Sequence, residues 1–278
     1  MEPWFAAPAS FLLLVLGVYC HRNWLALFPE DPPGAGRHQH VVPMPMAGWV
    51  PTAVAIAAFA YFGESEWIAG GVALASLTGY LDDRGKSIGR EMTWRVKGGM
   101  LTAATALALV GAAEQLQRDP VSLIVAFLWL FAVTNAVNFM DNTNGVSVTL
   151  GSMGLLLISQ GEGVLAFVGF AFLGFVPANW PRPRVFLGDS GSLGLGLCLG
   201  WATLRTVEHP FTWLAVAPIA LFALDFTQVI LARLVLGIPP WLGDRRHITH
   251  ISINLGLPRV LVAPLFAAIG YTIFRVAV

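Results

Sequence analysis

The sequence predicts an all-α, polytopic membrane protein of about ten transmembrane helices, with its active site at the cytoplasmic face. Three observations predict it. Hydrophobic residues make up 56% of the 278-residue chain and charged residues 12%, and the mean hydropathy of +0.69 is well beyond what a soluble domain of this size carries. Apolar runs of near-helix length recur along the whole chain. The polar residues that interrupt them fall in short clusters, LDDRG at 81–85, NAVNFMDNTNG at 135–145, FLGDSGS at 186–192 and DRRHITH at 244–250, each at the end of a hydrophobic run.

In chain order the apolar runs are 5–21, 46–62, 67–81, 99–113, 121–140, 146–160, 163–178, 190–205, 211–236 and 258–276. Several are nearer 15 residues than the roughly 20 that a helix needs to cross a bilayer, so their ends extend into flanking polar residues or the site indents the membrane. The Gly-rich stretch Gly191 to Gly200 reads as a helix closely packed against others, because small residues let backbones approach. No Lys or Arg precedes the first run and Arg22 follows it, which places the N-terminus outside and the loops after odd-numbered spans in the cytoplasm. Of the 16 basic residues, only Arg118, Arg205 and Arg275 then lie on the outer side. All four polar clusters share the inner side. The first run lacks a basic n-region and a clear cleavage site, so no signal peptide is expected. Residues 1–278 read as a single integral membrane domain. Cys20 and Cys198 sit in apolar segments as small hydrophobes, the formal charge is zero, and the sequence carries no nucleic-acid-binding signal.

Asp82 and Asp83 are adjacent carboxylates at a membrane edge, which repel unless a cation or basic group compensates them; the alternative is a solvated helix cap beside Arg84 and Lys86. Asn135, Asn138 and Asp141 recur at three-residue spacing on one helical face, at the end of a span where polar groups are costly. Asp189 opens the eighth span in a Gly-Asp-Ser-Gly-Ser turn, where it reads as an N-cap or as part of a phosphate site at a helix N-terminus. Together these acids are hard oxygen ligands with no thiolate nearby, which favours Mg²⁺, or Mn²⁺, shared with substrate phosphates. His247 and His250 have a spacing open to zinc, but two ligands do not make a zinc site, and Asp244, Arg245 and Arg246 beside them read as a phosphate-binding loop.

In content and order the clusters resemble the polyprenyl-phosphate N-acetylhexosamine-1-phosphate transferases, over about residues 31–260. NAVNFMD fits that family's Asn-x-x-Asn-x-x-Asp element and FLGDSGS its Phe-x-Gly-Asp-x-Gly-Ser element. The Asp82-Asp83 pair is followed by Lys97. His40, Pro43, Pro45 and Gly48 look like its first cytoplasmic loop, and Asp225 with Arg233 like positions of its ninth helix. The resemblance implies transfer of a sugar 1-phosphate, GlcNAc-1-phosphate or another HexNAc-1-phosphate, from a UDP-HexNAc donor to undecaprenyl or polyprenyl phosphate, with release of UMP.

It further implies Asp189 as metal ligand and Asp82 or Asp83 as the group that deprotonates or positions the acceptor. Asp141 becomes a metal ligand or nucleophile. His40, Lys97, Asn135, Asn138, Arg245, His247 and His250 become substrate-binding residues, with interhelical grooves for the isoprenoid tail. The location implied is the bacterial inner membrane, with the lipid bilayer as partner and a homodimer admitted. This chain departs from the pattern at His38, Trp49, Asn142-Thr143-Asn144 and Ile251, and it lacks the His-His-His run of the pentapeptide translocase branch, which favours the UDP-GlcNAc branch. Two other readings stand beside it. A transporter would explain Asp225 in mid-span, at an insertion cost of about 2.5–3.5 kcal/mol unless it has a partner or a wet cavity; an inactive scaffold would explain the departures.

Overall fold

A computed structural model of the chain describes residues 2–33, 42–113, 119–205, 216–240, 242 and 245–277. The elements are α1 (Ala6–Asn23), β1 (Glu30–Asp31), β2 (Met44–Pro45), α2 (Trp49–Tyr61), α3 (Glu66–Ser87), α4 (Trp94–Ala112), α5 (Pro120–Met140) and α6 (Val146–Ser159). They continue with α7 (Gly163–Leu173), the short α8 (Val176–Asn179), α9 (Gly188–Arg205), α10 (Ala220–Val235), the short α11 (Ile248–Asn254) and α12 (Arg259–Ala277). Among the described residues four helical stretches are long and apolar enough to cross a membrane: Pro3–Asn23, Pro120–Met140, Ala217–Val235 and Arg259–Ala277. Trp49–Tyr61, Val146–Ser159 and Gly163–Asn179 are shorter apolar helices. The chain is an all-α membrane protein with very little strand.

α9 is the axis of the fold. Every residue from Ser190 to Thr203 is buried, and α2, α3, α5 and α6 pack around it. This is where the Gly-rich pattern leads. A helix with glycines at 191, 194, 196 and 200 has almost no side-chain bulk on several faces, so its neighbours close in on all sides, as small residues permit in membranes. The outer helices show the reverse. α1 exposes Leu12, Leu13 and Leu16, α5 exposes Val121, Ile124 and Leu128, and α10 exposes Leu224, Leu231 and Leu234, apolar surface of the kind a membrane protein turns toward lipid.

Local chemistry sets the helix ends. Asp119 accepts a hydrogen bond from the Ser122 amide at 2.8 Å and Pro120 takes the first helical position of α5, an N-terminus built from two favourable residues. The Asp119 carboxyl is held below its usual range by that backbone bond. Two boundaries differ from the hydropathy reading. α3 continues to Ser87 rather than stopping at 81, and α4 begins at Trp94 rather than 99. Charged residues end a hydropathy run but do not end a helix, and here Asp82 and Lys86, four apart, form an ion pair on the helix itself. The run 163–178 divides into α7 and α8. Of the run 211–236, residues 211–215 lie outside the described residues.

One small β element is a departure from the all-α pattern. β1 and β2 pair antiparallel, Glu30 with Pro45 and Asp31 with Met44, and Met46 bridges in parallel to Phe186. The Phe186 amide donates to the Pro45 carbonyl at 2.9 Å, and the Ala47 and Gly48 amides donate to the Phe186 and Leu187 carbonyls at 3.0 and 3.1 Å. Runs this short give no alternating pattern to read. Their effect is to tie the loop carrying Pro43, Pro45 and Gly48 to the entrance of α9.

Candidate active site

The C-terminal ends of α3 and α5 and the N-terminal ends of α4 and α9 converge on one polar site. Adjacent helical residues point about 100° apart, so Asp82 and Asp83, both buried, serve different neighbours. Asp83 faces α9. Its Oδ1 accepts from the Asp189 amide and its Oδ2 from the Ser190 amide, each at 3.0 Å. A carboxylate thereby satisfies two of the free amides that open α9, in the orientation the helix dipole favours. The approach depends on Gly79, one turn earlier on α3: a Cβ there would lie 2.2 Å from the Asp189 carbonyl carbon. Gly188, with φ +67°, makes the turn into α9, and a Cβ on it would meet Asp83 Oδ2 at 2.7 Å.

Asp82 faces α4. Its Oδ2 pairs with Lys86 Nζ at 2.9 Å and Lys97 Nζ at 2.8 Å, and its Oδ1 accepts from the Met92 amide at 3.3 Å. The same two ammoniums reach Asp189 Oδ2, Lys86 at 2.7 Å and Lys97 closer still. Asp189 Oδ1 accepts from Asn138 Nδ2 at 3.0 Å, and Asn138 also donates to Ser192 Oγ at 2.8 Å. Two findings decide between alternatives that the sequence leaves open. The Asp82-Asp83 pair is not a solvated cap. And the carboxylate capping α9 belongs to Asp83, which leaves the side chain of Asp189 for the two lysines and Asn138.

Asp141 follows α5 directly, half-buried, with ψ of 47° that ends the helix. Its carboxylate makes no hydrogen bond or ion pair among the described residues. Burial, and then the charges of Asp189 and Asp83, push it well above the ordinary carboxylate range. The turn that follows is held from outside: Asn179 Oδ1 accepts from the Gly145 amide at 2.7 Å, while Asn179 Nδ2 donates to the Val185 carbonyl at 2.9 Å. Asn142 Oδ1 accepts from Thr143 Oγ1 at 3.0 Å and from Thr249 Oγ1 of α11.

These groups enclose a cavity of about 200 Å³ whose lining includes Asp83, Lys86, Asp141, Asn144, Asn179 and Asp189, with Asp31 and Met46 of the β element at its edge. Ligand pockets are commonly about 300–1,000 Å³, so this one suits the charged centre of a larger ligand. Among the described residues no three His, Cys, Asp or Glu stand together as a metal cage. Asp189 and Asp141, on one cavity, do fit the way Mg²⁺ is commonly held, by one or two carboxylates and the phosphates of a substrate.

The histidine loop is built separately. Asp225, fully buried, meets His247 Nδ1 at 2.7 Å through Oδ2 and accepts from the Ile248 amide at 2.7 Å through Oδ1. This supplies the partner that an acid in a span requires. The His247 and His250 rings lie 6.1 Å apart, and burial, with His247 and Arg245 nearby, lowers the pKa of His250. Arg233 lies 5.1 Å over the Phe139 ring and donates to the Pro240 carbonyl.

Asp82, Asp83, Lys97, Asn138, Asp141 and Asp189 therefore gather as the motifs predict. Asn135 does not join them: its Nδ2 donates to the Phe131 carbonyl of its own helix at 2.8 Å. Arg245 is exposed, and among the described residues the segment carrying His247 and His250 meets the cavity wall through the Thr249–Asn142 hydrogen bond. His40, His38 and Asp244 lie outside the described residues. The sequence reading assigned no role in the site to Lys86, Asn179 or Asp31. For Lys86 the four-residue spacing from Asp82 was a usable signal, whereas Asn179 and Asp31 stand in no recognisable pattern.

Residues 67–207 match the family model for glycosyl transferase family 4. Among curated proteins the chain is 29% identical over 234 residues to a decaprenyl-phosphate N-acetylglucosaminephosphotransferase of Mycolicibacterium smegmatis, an alignment covering 68% of this chain and 56% of that protein. It is 28% identical over 179 residues to an undecaprenyl-phosphate alpha-N-acetylglucosaminyl 1-phosphate transferase of Yersinia pestis, covering 54% and 48% of the two chains. Against the Salmonella typhi enzyme of the same name the identity is 31% over 175 residues, covering 52% and 47%. The chain spans about half the length of the curated relatives it matches. The family match takes in Asp82, Asp83, Lys97, Asn138, Asp141 and Asp189, the residues that the structure draws into one site, and the chain belongs to glycosyl transferase family 4.

Proposed function

We propose that the protein transfers a HexNAc 1-phosphate, in first place GlcNAc-1-phosphate, from a UDP-sugar to undecaprenyl or another polyprenyl phosphate and releases UMP. The observation that carries this reading is the placement of Asp141, with no bonded partner among the described residues, across one cavity from a fully bonded Asp189. The names of the relatives supply the substrate class, GlcNAc 1-phosphate and a polyprenyl phosphate.

Mg²⁺, or Mn²⁺, held by Asp189 and Asp141 would neutralise charge developing on the donor diphosphate. The remaining work falls to the chain. Asp83 fixes the backbone of Asp189, Asn138 fixes its carboxylate, and Lys97 offsets the charge of Asp82 and Asp189. Both oxygens of Asp83 accept backbone amides, and Asp82 is shared by two ammoniums. Asp141 is the acid left open toward the phosphates, either as metal ligand or as nucleophile.

The same reading puts ten spans in a bacterial inner membrane, with the N-terminus outside and the site at the cytoplasmic face. Its support is the distribution of the 16 Lys and Arg residues together with the meeting of four helix ends at one polar site. Purified protein offered several UDP-HexNAc donors and undecaprenyl phosphate, with Mg²⁺ or with EDTA, tests the whole proposal. A chelator-sensitive lipid product with equimolar UMP is expected; folded protein that makes neither from any donor would sink it.

A further inference from the structure

Asp189 Oδ2 has two cationic partners and Asp189 Oδ1 has Asn138. Lys86 and Lys97 both also reach Asp82 Oδ2, so two ammoniums share one pair of carboxylate oxygens. Like charges this close repel, and the carboxylates of Asp82 and Asp189, with that of Asp83 near Lys86, offset them. A divalent cation bound at Asp189 would add a third positive group at the same oxygens. That crowding favours the departure of one ammonium, and the two lysines are not equivalent. Lys86 lines the cavity, on the last turn of α3, whereas Lys97 is held in the first turn of α4 and is not part of the lining. A lysine ammonium is strongly hydrated and rides on a flexible four-carbon stem, so it can turn into a wet cavity beside it.

We infer that Lys86 is an anion-binding residue that competes with the divalent cation for Asp189, yields that oxygen when the cation binds, and turns into the cavity to hold the diphosphate of a nucleotide donor. Lys97 stays behind as the fixed counter-ion of Asp82 and Asp189. The inference rests on the reading of Asp189 as a metal ligand. It adds a residue that binds substrate only after the metal, so metal and donor assist each other through one side chain.

The test measures binding on the full chain in detergent. Mn²⁺ is titrated with free Mn²⁺ read by electron paramagnetic resonance, and UDP is then titrated calorimetrically at saturating Mn²⁺. Lys86→Met removes the competing charge, so its Kd for Mn²⁺ should fall about tenfold while its Kd for UDP rises about tenfold. Lys86→Arg keeps the charge and should bind Mn²⁺ within about twofold of wild type, which guards against a folding artefact. Unchanged or weaker Mn²⁺ binding by Lys86→Met, with wild type binding normally, overturns the competition. Tighter Mn²⁺ with unchanged UDP affinity overturns the anion-binding half. Failure of wild type to bind Mn²⁺ overturns instead the assignment of Asp189 to the metal, and the competition with it.

Discussion

The two sides of the cavity are built on opposite principles. On the α3–α9 side every carboxylate oxygen has a partner: Asp83 takes the Asp189 and Ser190 amides, Asp82 takes Lys86, Lys97 and the Met92 amide, and Asp189 takes both lysines and Asn138. On the α5–α6 side the Asp141 carboxylate has none among the described residues, and its turn is braced from neighbouring segments by Asn179 and by Thr249. A carboxylate locked by several bonds is already in position when a ligand arrives, and a carboxylate without bonds is free to form one. The difference separates the acids that shape the site from the acid that meets the substrate, although all four are equally acidic in sequence.

The comparison breaks most visibly at Asp189. Asp189→Asn keeps the size of the side chain but removes the charge that two ammoniums and the proposed cation share. Turnover should fall by about 10³-fold, the scale of losing a preorganised electrostatic group, with a near-native circular dichroism spectrum. Activity within tenfold of wild type would remove Asp189 from the centre of the site. Next comes Asp141→Asn, where the two sides predict opposite things. Activity should drop by about 10²-fold, the scale of a directly acting acid or base, yet the fold should gain stability. The sign follows from the raised pKa of Asp141: a carboxyl that is harder to ionise folded than unfolded weakens the fold as pH climbs above its unfolded value, a penalty that persists at neutral pH and that asparagine does not carry. A melting temperature at pH 8 that falls in the variant, or an activity that holds, contradicts the assignment. Asn138→Ala is smaller again. It frees Asp189 Oδ1 and removes a donor to Ser192 without touching a charge, so kcat should fall roughly tenfold, the low end of the about 1.5–3 kcal/mol that bonds to charged groups contribute.

How much of this was legible beforehand divides along the same line. Acids at the ends of apolar runs, and their order along the chain, were enough to place Asp82, Asp83, Asp141 and Asp189 together, because a membrane protein cannot scatter such residues without cost. Which oxygen meets which amide was not legible. That Asp83 rather than Asp189 caps α9 follows from the crossing of two helices at Gly79, 110 positions before Asp189 along the chain and in no motif with it. Lys86 is easily passed over for a different reason, although its spacing from Asp82 is a signal. In a charged run such as DDRGK a lysine reads as solvated, and only the helix continuing to Ser87 turns it inward under Asp82. The β element and Asp31 left no trace, since two-residue strands have no periodicity.

Asn135 gives the smallest effect and separates pattern from geometry. It shares with Asn138 the Asn-x-x-Asn-x-x-Asp spacing, and the motif by itself gives both a substrate role. The structure treats them differently. Asn138 reaches across to α9, while Asn135 turns its amide back onto the Phe131 carbonyl, a local bond to a carbonyl already engaged in its own helix. Such a bond contributes little, and alanine is the better helix former, so Asn135→Ala should leave both melting temperature and kcat/KM within about twofold of wild type. A loss of tenfold or more in kcat/KM at unchanged melting temperature would show that Asn135 releases Phe131 and contacts substrate during turnover, and the boundary between the locked and open sides of the site would have to be redrawn through α5.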